Sequence, residues 1–261
     1  VTLTGSAATN QFAGDTSAAA GGFTGIQTLT GASGDTLTGI TGEAATWTQT
    51  SYEKTGSTGE TLTIAGIDTF QGAGLIDTFN IDGGTIASLS GGAGADEFNI
   101  SAGSVTTVSG EDDGDAINIT GGTVTDIDGG AGNDVLNLDV TIGGTAAGGL
   151  GDDELNIAGI TGGQTVTLTG SAATNQFAGD TSAAAGGFTG IQTLTGASGD
   201  TLTGITGEAA TWTQTSYEKT GSTGETLTIA GIDTFQGAGL IDTFNIDGGT
   251  IASLSGGAGA D

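Results

Sequence analysis

The chain has no proline, cysteine, methionine or histidine, and its only basic residues are Lys54 and Lys219. Without cysteine there are no disulfides and no thiol chemistry, which in an extracellular bacterial setting fits a protein stabilised by metal instead. Glycine is abundant, at 54 of 261 residues, but without proline or a three-residue period it is not collagen-like. Thirty acidic residues against two basic ones give a net charge of −28. That charge repels nucleic acid and anionic membranes, and it opposes compaction unless cations bind. The scarcity of Lys and Arg leaves trypsin-like proteases little to cut. No apolar run is long enough to cross a bilayer, so no transmembrane segment is expected. A polysaccharide-degrading β-helix would need clustered acids in a groove with basic or aromatic subsites. With no histidine or arginine, the chain does not read as an enzyme.

What is present is a period. Residues 67–157 align with themselves in rows of nineteen. One column holds Ile67, Ile86, Val105 and Val124, and a second, three places on, holds Phe70, Leu89, Val108 and Ile127. A third holds Asp77, Asp96, Asp115, Asp134 and Asp153. Two residues later come Phe79, Phe98, Ile117, Leu136 and Leu155, then an asparagine column, Asn80, Asn99, Asn118, Asn137 and Asn156. Ile81, Ile100, Ile119, Leu138 and Ile157 close the pattern. A short fixed period marks a solenoid, in which each repeat buries its apolar face against its neighbours. Nineteen residues is too short for a helical hairpin and suits one coil of a parallel β-solenoid. Phe79-Asn80-Ile81 then reads as a short strand with Phe and Ile inward and Asn outward. Ile86 and Leu89 stand three apart, which predicts a corner or a bulge.

A larger repeat lies above this one. Residues 1–96 and 166–261 are identical letter for letter, a period of 165. We read 1–165 as a first tandem unit of about eight coils and 166–261 as part of a second, a window on a longer array. A catalytic protein seldom needs its site copied unchanged; a fibre, stalk or spacer does, because copy number sets its length.

In order, residues 1–25 read as an irregular coil with Leu3 and Phe12 inward and Asn10 in the place of the aspartate. Residues 26–50 begin regularly with Ile26, Leu29, Gly31, Gly34, Asp35 and Leu37, then make an excursion containing Trp47. Residues 51–66 read as a further coil on Gly56, Gly59, Glu60, Thr61 and Leu62. Here Lys54 either falls in the column of Leu29 or marks an outward bulge. Trp47 and Tyr52 are either a sugar-binding platform or packing for the excursion. The asparagine column is either an exterior amide ladder or a binding surface, and Asn99-Ile-Ser101 and Asn118-Ile-Thr120 match the N-glycosylation pattern.

The turns before the Phe-Asn-Ile strands carry the chemistry. Residues 91–98 read Gly-Gly-Ala-Gly-Ala-Asp-Glu-Phe, 129–136 Gly-Gly-Ala-Gly-Asn-Asp-Val-Leu, and 148–155 Gly-Gly-Leu-Gly-Asp-Asp-Glu-Leu. Calcium takes six to eight oxygens at about 2.3–2.6 Å. Glycines let such a turn aim its carbonyls at one place, and an aspartate adds charge. The candidate ligands are Asp96, Asp134 and Asp153, with the carbonyls of Gly91, Gly92, Gly94, Gly129, Gly130, Gly132, Gly148, Gly149 and Gly151. Asp115 and Asp77 are further candidates in turns (110–115 and 72–77) that lack the second and third glycines. The alternative is a calcium-free turn in which the aspartate accepts backbone N–H bonds.

These turns resemble the Gly-Gly-x-Gly-x-Asp calcium-binding repeat of RTX proteins. A nineteen-residue coil with one such turn is similar to the solenoid of giant bacterial ice-binding adhesins. The composition also resembles S-layer proteins carrying RTX motifs. In the adhesins a Thr and an Asn in the turn form the ice-binding face. Here those places hold Ala93, Asp112, Ala131 and Leu150, and Ala95, Gly114, Asn133 and Asp152, so that face is not repeated. The resemblance implies secretion, folding on calcium outside the cell and a place on the bacterial surface. The expected function is an extracellular structural repeat, a fibre, sheath or S-layer-like filament that self-associates end to end or laterally. The alternative is the stalk or ligand-binding module of an adhesin.

Overall fold

The computed structural model describes residues 1–7, 11–17, 19–56, 60–172, 176–222 and 225–261. Asn10 and Gly59 lie outside the described residues. The structure is all-β, with 59% in strands and no helix among the described residues. The fold is a parallel β-solenoid, and its contacts divide into two compact units, Val1–Ala131 and Gly132–Asp261.

In the first unit the nineteen-residue columns become ladders. Strand Thr78–Ala93 pairs in parallel with Glu97–Asp112, placing Phe79 beside Phe98, Asn80 beside Asn99 and Ile81 beside Ile100. Ala116–Ile119 continues that face, with Ile117 beside Phe98 and Ile119 beside Ile100. Thr123–Ala131 continues the other, with Val124 beside Val105 and Ile127 beside Val108. Alternation does the sorting: Phe79 and Ile81 are buried while Asn80 between them is exposed. Equal side chains stand one above another in the interior, and the Phe79 and Phe98 rings stack 4.8 Å apart and 3° from parallel. Fully burying each such side chain is worth roughly 1.5–3 kcal/mol.

The expected corner is present but displaced. The register breaks between Ile81 and Thr85, and the pairing then skips Ala87, so Ile86 and Leu89 both reach the core three residues apart.

Two expectations about the irregular segments are corrected. Residues 1–25 are not a coil. Thr2–Ala7, Gln11–Thr16 and Ala19–Ile26 form an antiparallel meander, with Leu3 and Phe12 buried. Residues 51–66 are not a coil either. Ala45–Thr48 and Ser51–Lys54 make a hairpin, and Thr61–Ala65 returns antiparallel to it. Thr61–Ala65 also pairs in parallel with Thr28–Thr30, so the partner of Leu29 is Ile64 and not Lys54. Lys54 stands on the hairpin, half-exposed and 2.9 Å from Glu43. Trp47 and Tyr52 are fully buried, with rings 4.6 Å apart, and Trp47 stacks 5.6 Å above Phe79. They pack the hairpin onto the first regular coil and form no sugar platform.

The second unit follows the same plan. Leu136, Leu155 and Leu194 form one inner column, extended by Ile229. Antiparallel excursions recur at 165–191 and at 210–230. No helix among the described residues is long and apolar enough to cross a membrane.

Candidate corner carboxylate site

The aspartate column sits at the corner where each turn enters its strand. Two residues before the buried Phe or Leu, the side chain shares the inward parity of the core. Asp77, Asp96, Asp115, Asp134 and Asp153 are accordingly each no more than 2% exposed. A carboxylate buried this far needs partners, and the stacking of coils supplies one. The backbone N–H of Asp77 donates to Oδ1 of Asp96 at 2.7 Å, and that of Asp96 to Oδ1 of Asp115 at 2.6 Å. In the second unit Asp134 donates to Oδ1 of Asp153 at 2.9 Å, and Asp242 to Asp261 at 3.0 Å.

In each unit the aspartates also meet residues that the motif does not reveal. In the first, Asp77 Oδ1 accepts from the N–H of Ala45 at 2.7 Å and the indole Nε1–H of Trp47 at 3.4 Å. In the second, the N–H of Asp153 donates to Oε1 of Gln192 at 2.5 Å. Asp200, a copy of Asp35, does the same service one column over, accepting from the N–H of Gln164 at 2.6 Å. Only the Gly31, Gly34 and Asp35 spacing hints at that role in the sequence; nothing marks Gln192.

The second carboxylate oxygen divides the turns into two kinds. Where alanine follows the first glycine, the turn closes on itself: Ala73, Ala197 and Ala238 donate their N–H to Oδ2 of Asp77, Asp200 and Asp242 at 3.1, 2.7 and 3.1 Å. In the Gly-Gly turns the second and fourth residues are left-handed, with φ of 99° and 121° at Gly92 and Gly94 and of 105° and 135° at Gly149 and Gly151. There Oδ2 of Asp96 and of Asp153 is buried with no hydrogen-bond donor. A Cβ at Gly91 would collide with both Asp96 Oδ2 and the carbonyl oxygen of Gly110, so a carboxylate and a main-chain carbonyl converge on that α-carbon. Gly148 is placed likewise between Asp153 Oδ2 and the carbonyl of Gly190.

Burial pushes the Asp96 carboxyl up to about 7, against the Asp77 N–H that pulls it down, with Asp77, Asp113 and Glu111 adding repulsion. Burial likewise raises Asp153 to about 6 and Asp77 to about 6. A positive charge or a proton is what these carboxylates lack. No family model, no curated protein and no solved structure matches the chain.

The donor set in the Gly-Gly turns is oxygen only, a carboxylate oxygen without a donor beside carbonyls, which suits a hard cation such as calcium. No three acidic side chains come together among the described residues, so a cation there would be held by one carboxylate per turn and by main-chain carbonyls. Asp77 is different: both its oxygens already accept from N–H groups. Asp115 lies in the turn where Glu111 and Asp113 replace the two glycines and keep the left-handed conformation, φ 79° and 72°.

The asparagine column is an amide ladder. Nδ2 of Asn99 donates to Oδ1 of Asn80 at 3.1 Å, Asn118 to Asn99 at 3.0 Å, and Asn156 to Asn137 at 3.0 Å. Both residues in glycosylation patterns, Asn99 and Asn118, therefore use the nitrogen that a glycan would occupy.

Proposed function

We propose that the protein is an extracellular structural repeat, a calcium-stiffened fibre, sheath or S-layer-like filament of a bacterial surface, and not an enzyme. The observation that carries this reading is the donor-less Oδ2 of Asp96 and Asp153 at the corner of a coil that repeats in register. A coil that buries a bare carboxylate is unstable alone, and a cation between turns neutralises it and ties one coil to the next. Asp96, Asp134 and Asp153 with their glycine carbonyls hold the ion, and the ion supplies charge neutralisation, not chemistry. Secretion in an unfolded state and stiffening on meeting calcium are what the resemblance to RTX repeats implies.

The test is circular dichroism of the chain, stripped with EDTA and titrated with calcium. A coil-to-β transition, lost when Asp96, Asp134 and Asp153 are changed to Ala, supports the reading. A full β signal in EDTA, unmoved by calcium, overturns it.

A second reading, the ligand-binding stalk of an adhesin, has one observation in its favour. A groove of about 220 Å³ runs along the amide ladder, lined by Asn80, Asp82, Asn99, Ser101, Asn118 and Thr120. Its polar rungs recur with the coil, as a repetitive ligand requires.

A further inference from the structure

The same sequence occurs twice in this chain, once with a coil stacked on it and once without. In the second unit, the coil Ile142–Ile157 lies on residues 184–195. Glu154, Leu155 and Asn156 pair in parallel with Thr193, Leu194 and Thr195. Ala146 pairs with Phe188. The N–H groups of Gln192 and Thr193 donate to the Asp153 carbonyl, each at 3.0 Å, and Ile157 donates to the Thr195 carbonyl at 2.8 Å. Under that coil Phe188 is 2% exposed, Ile191 0%, Gln192 5% and Leu194 0%, and Asp200, 1% exposed, lies under the turn that follows it, accepting from the N–H of Gln164.

The corresponding residues of the first copy are Phe23, Ile26, Gln27, Leu29 and Asp35. There Gln27, Thr28, Thr30 and Asp35 are exposed, and Phe23, Ile26 and Leu29 are half-buried. A strand edge bearing Leu and Phe beside exposed polar residues is an adhesive surface, and its complement is seen in the second copy.

We propose that the face formed by Phe23, Ile26, Gln27, Leu29 and Asp35 is the docking site for the last coil and the turn after it, residues 142–164, of another 165-residue unit joined ahead of it. This rests on the fibre reading above and gives it a joint. Leu155 of the incoming unit covers Leu29, Ala146 covers Phe23, and the N–H of its Asp153 donates to Gln27 Oε1. Gln27 is the specificity element. It is the neutral residue that ends an aspartate column, so the joint places no second carboxylate against Asp153. The joint is thereby distinguished from the regular coils, where an aspartate receives that N–H.

The chain has no cysteine, so a single introduced thiol reports on this face. Gln27→Cys is made in the whole chain and in the whole chain preceded by a copy of its own residues 132–165. Reaction with a maleimide is then timed. The extension is expected to slow labelling at least about tenfold, towards the rate of Gln192→Cys. Thr28→Cys gives an independent reading one residue on. An extension carrying Asp in place of the residue copied from Leu155 restores the fast rate. Equal rates with and without the extension at Thr28→Cys, which keeps Gln27, overturn the proposal. Slow labelling in the unextended chain, with a doubled mass in sedimentation, also overturns it, because separate chains would then cover the face. Protection by the extension without any response to calcium keeps the joint and removes the calcium-stiffened fibre; a calcium response without protection does the reverse.

Discussion

The backbone N–H of Asp77 donates to Oδ1 of Asp96, 2.7 Å away and nineteen residues later. One oxygen of a buried acid thus replaces a main-chain acceptor, while its other oxygen, in a Gly-Gly turn, finds no donor. The acid is simultaneously a strut and a source of strain, and the two roles separate by mutation.

Asp96→Asn keeps the Oδ1 acceptor for Asp77 and removes the buried charge. In EDTA at pH 8 the variant is expected to melt higher than the parent, by on the order of a few kcal/mol. In millimolar calcium the order reverses, because the amide binds the ion poorly. Thermal melts followed by circular dichroism in both buffers check this. A variant that is less stable in both would show that the carboxylate acts without a cation.

Stability without metal depends on pH in an unusual direction. Asp77, Asp96 and Asp153 have folded values raised to about 6, 7 and 6 from 3.8, so the folded state holds protons more tightly than the unfolded one. Their contribution is fully present below about pH 4 and is lost as pH rises through the folded values, to about 7. The metal-free protein should therefore melt higher at pH 5 than at pH 8, and saturating calcium should flatten that slope. Melting temperatures across this range, with EDTA or calcium, decide it; a rise in stability with pH in EDTA would contradict the burial of these acids.

Glu111 and Asp113 hold left-handed φ of 79° and 72°, where the neighbouring turns use glycine. Each costs roughly 1–2 kcal/mol of backbone strain. Glu111→Gly and Asp113→Gly are each expected to stabilise the chain by about 1 kcal/mol after the added entropy of glycine. The effect should also appear in EDTA, since two charges near Asp96 disappear with them. Denaturant melts of the single and double variants measure it.

The amide ladder is a smaller term. Asn99 donates to Asn80 and accepts from Asn118, so Asn99→Leu is expected to cost about 1–2 kcal/mol for the two bonds. Asn99→Asp should cost more, because the donated bond becomes a carboxylate facing an amide oxygen. Unfolding in urea at constant ionic strength compares the two.

The regular block was legible in the sequence because each coil repeats the one before it: Phe79, Phe98 and Ile117 share a column in both the letters and the ladder. The excursions were not. Leu3 and Phe12 alternate with polar residues in an antiparallel meander much as they would in a coil, and alternation carries no information about strand direction. Lys54 was the one residue that disagreed with the coil reading of 51–66, and it stands on a hairpin. At the corner, the aspartate column was plain, but which oxygen finds a donor depends on the peptide orientation at Ala73 or Gly92. Gln192 was invisible because it replaces an acid with a residue of no distinctive chemistry.

The direction of the corner bond gives the stack a before and an after. Each coil leaves its own corner amide unanswered and answers the amide of the coil preceding it, as Asp115 answers Asp96 and Gln192 answers Asp153. A growing stack that advances toward the C-terminus always carries one open amide at its front, whereas one that advances toward the N-terminus meets each new coil with an acceptor already in position. Polarity is thus written into a hydrogen bond, and the two ends of such a stack are chemically unlike.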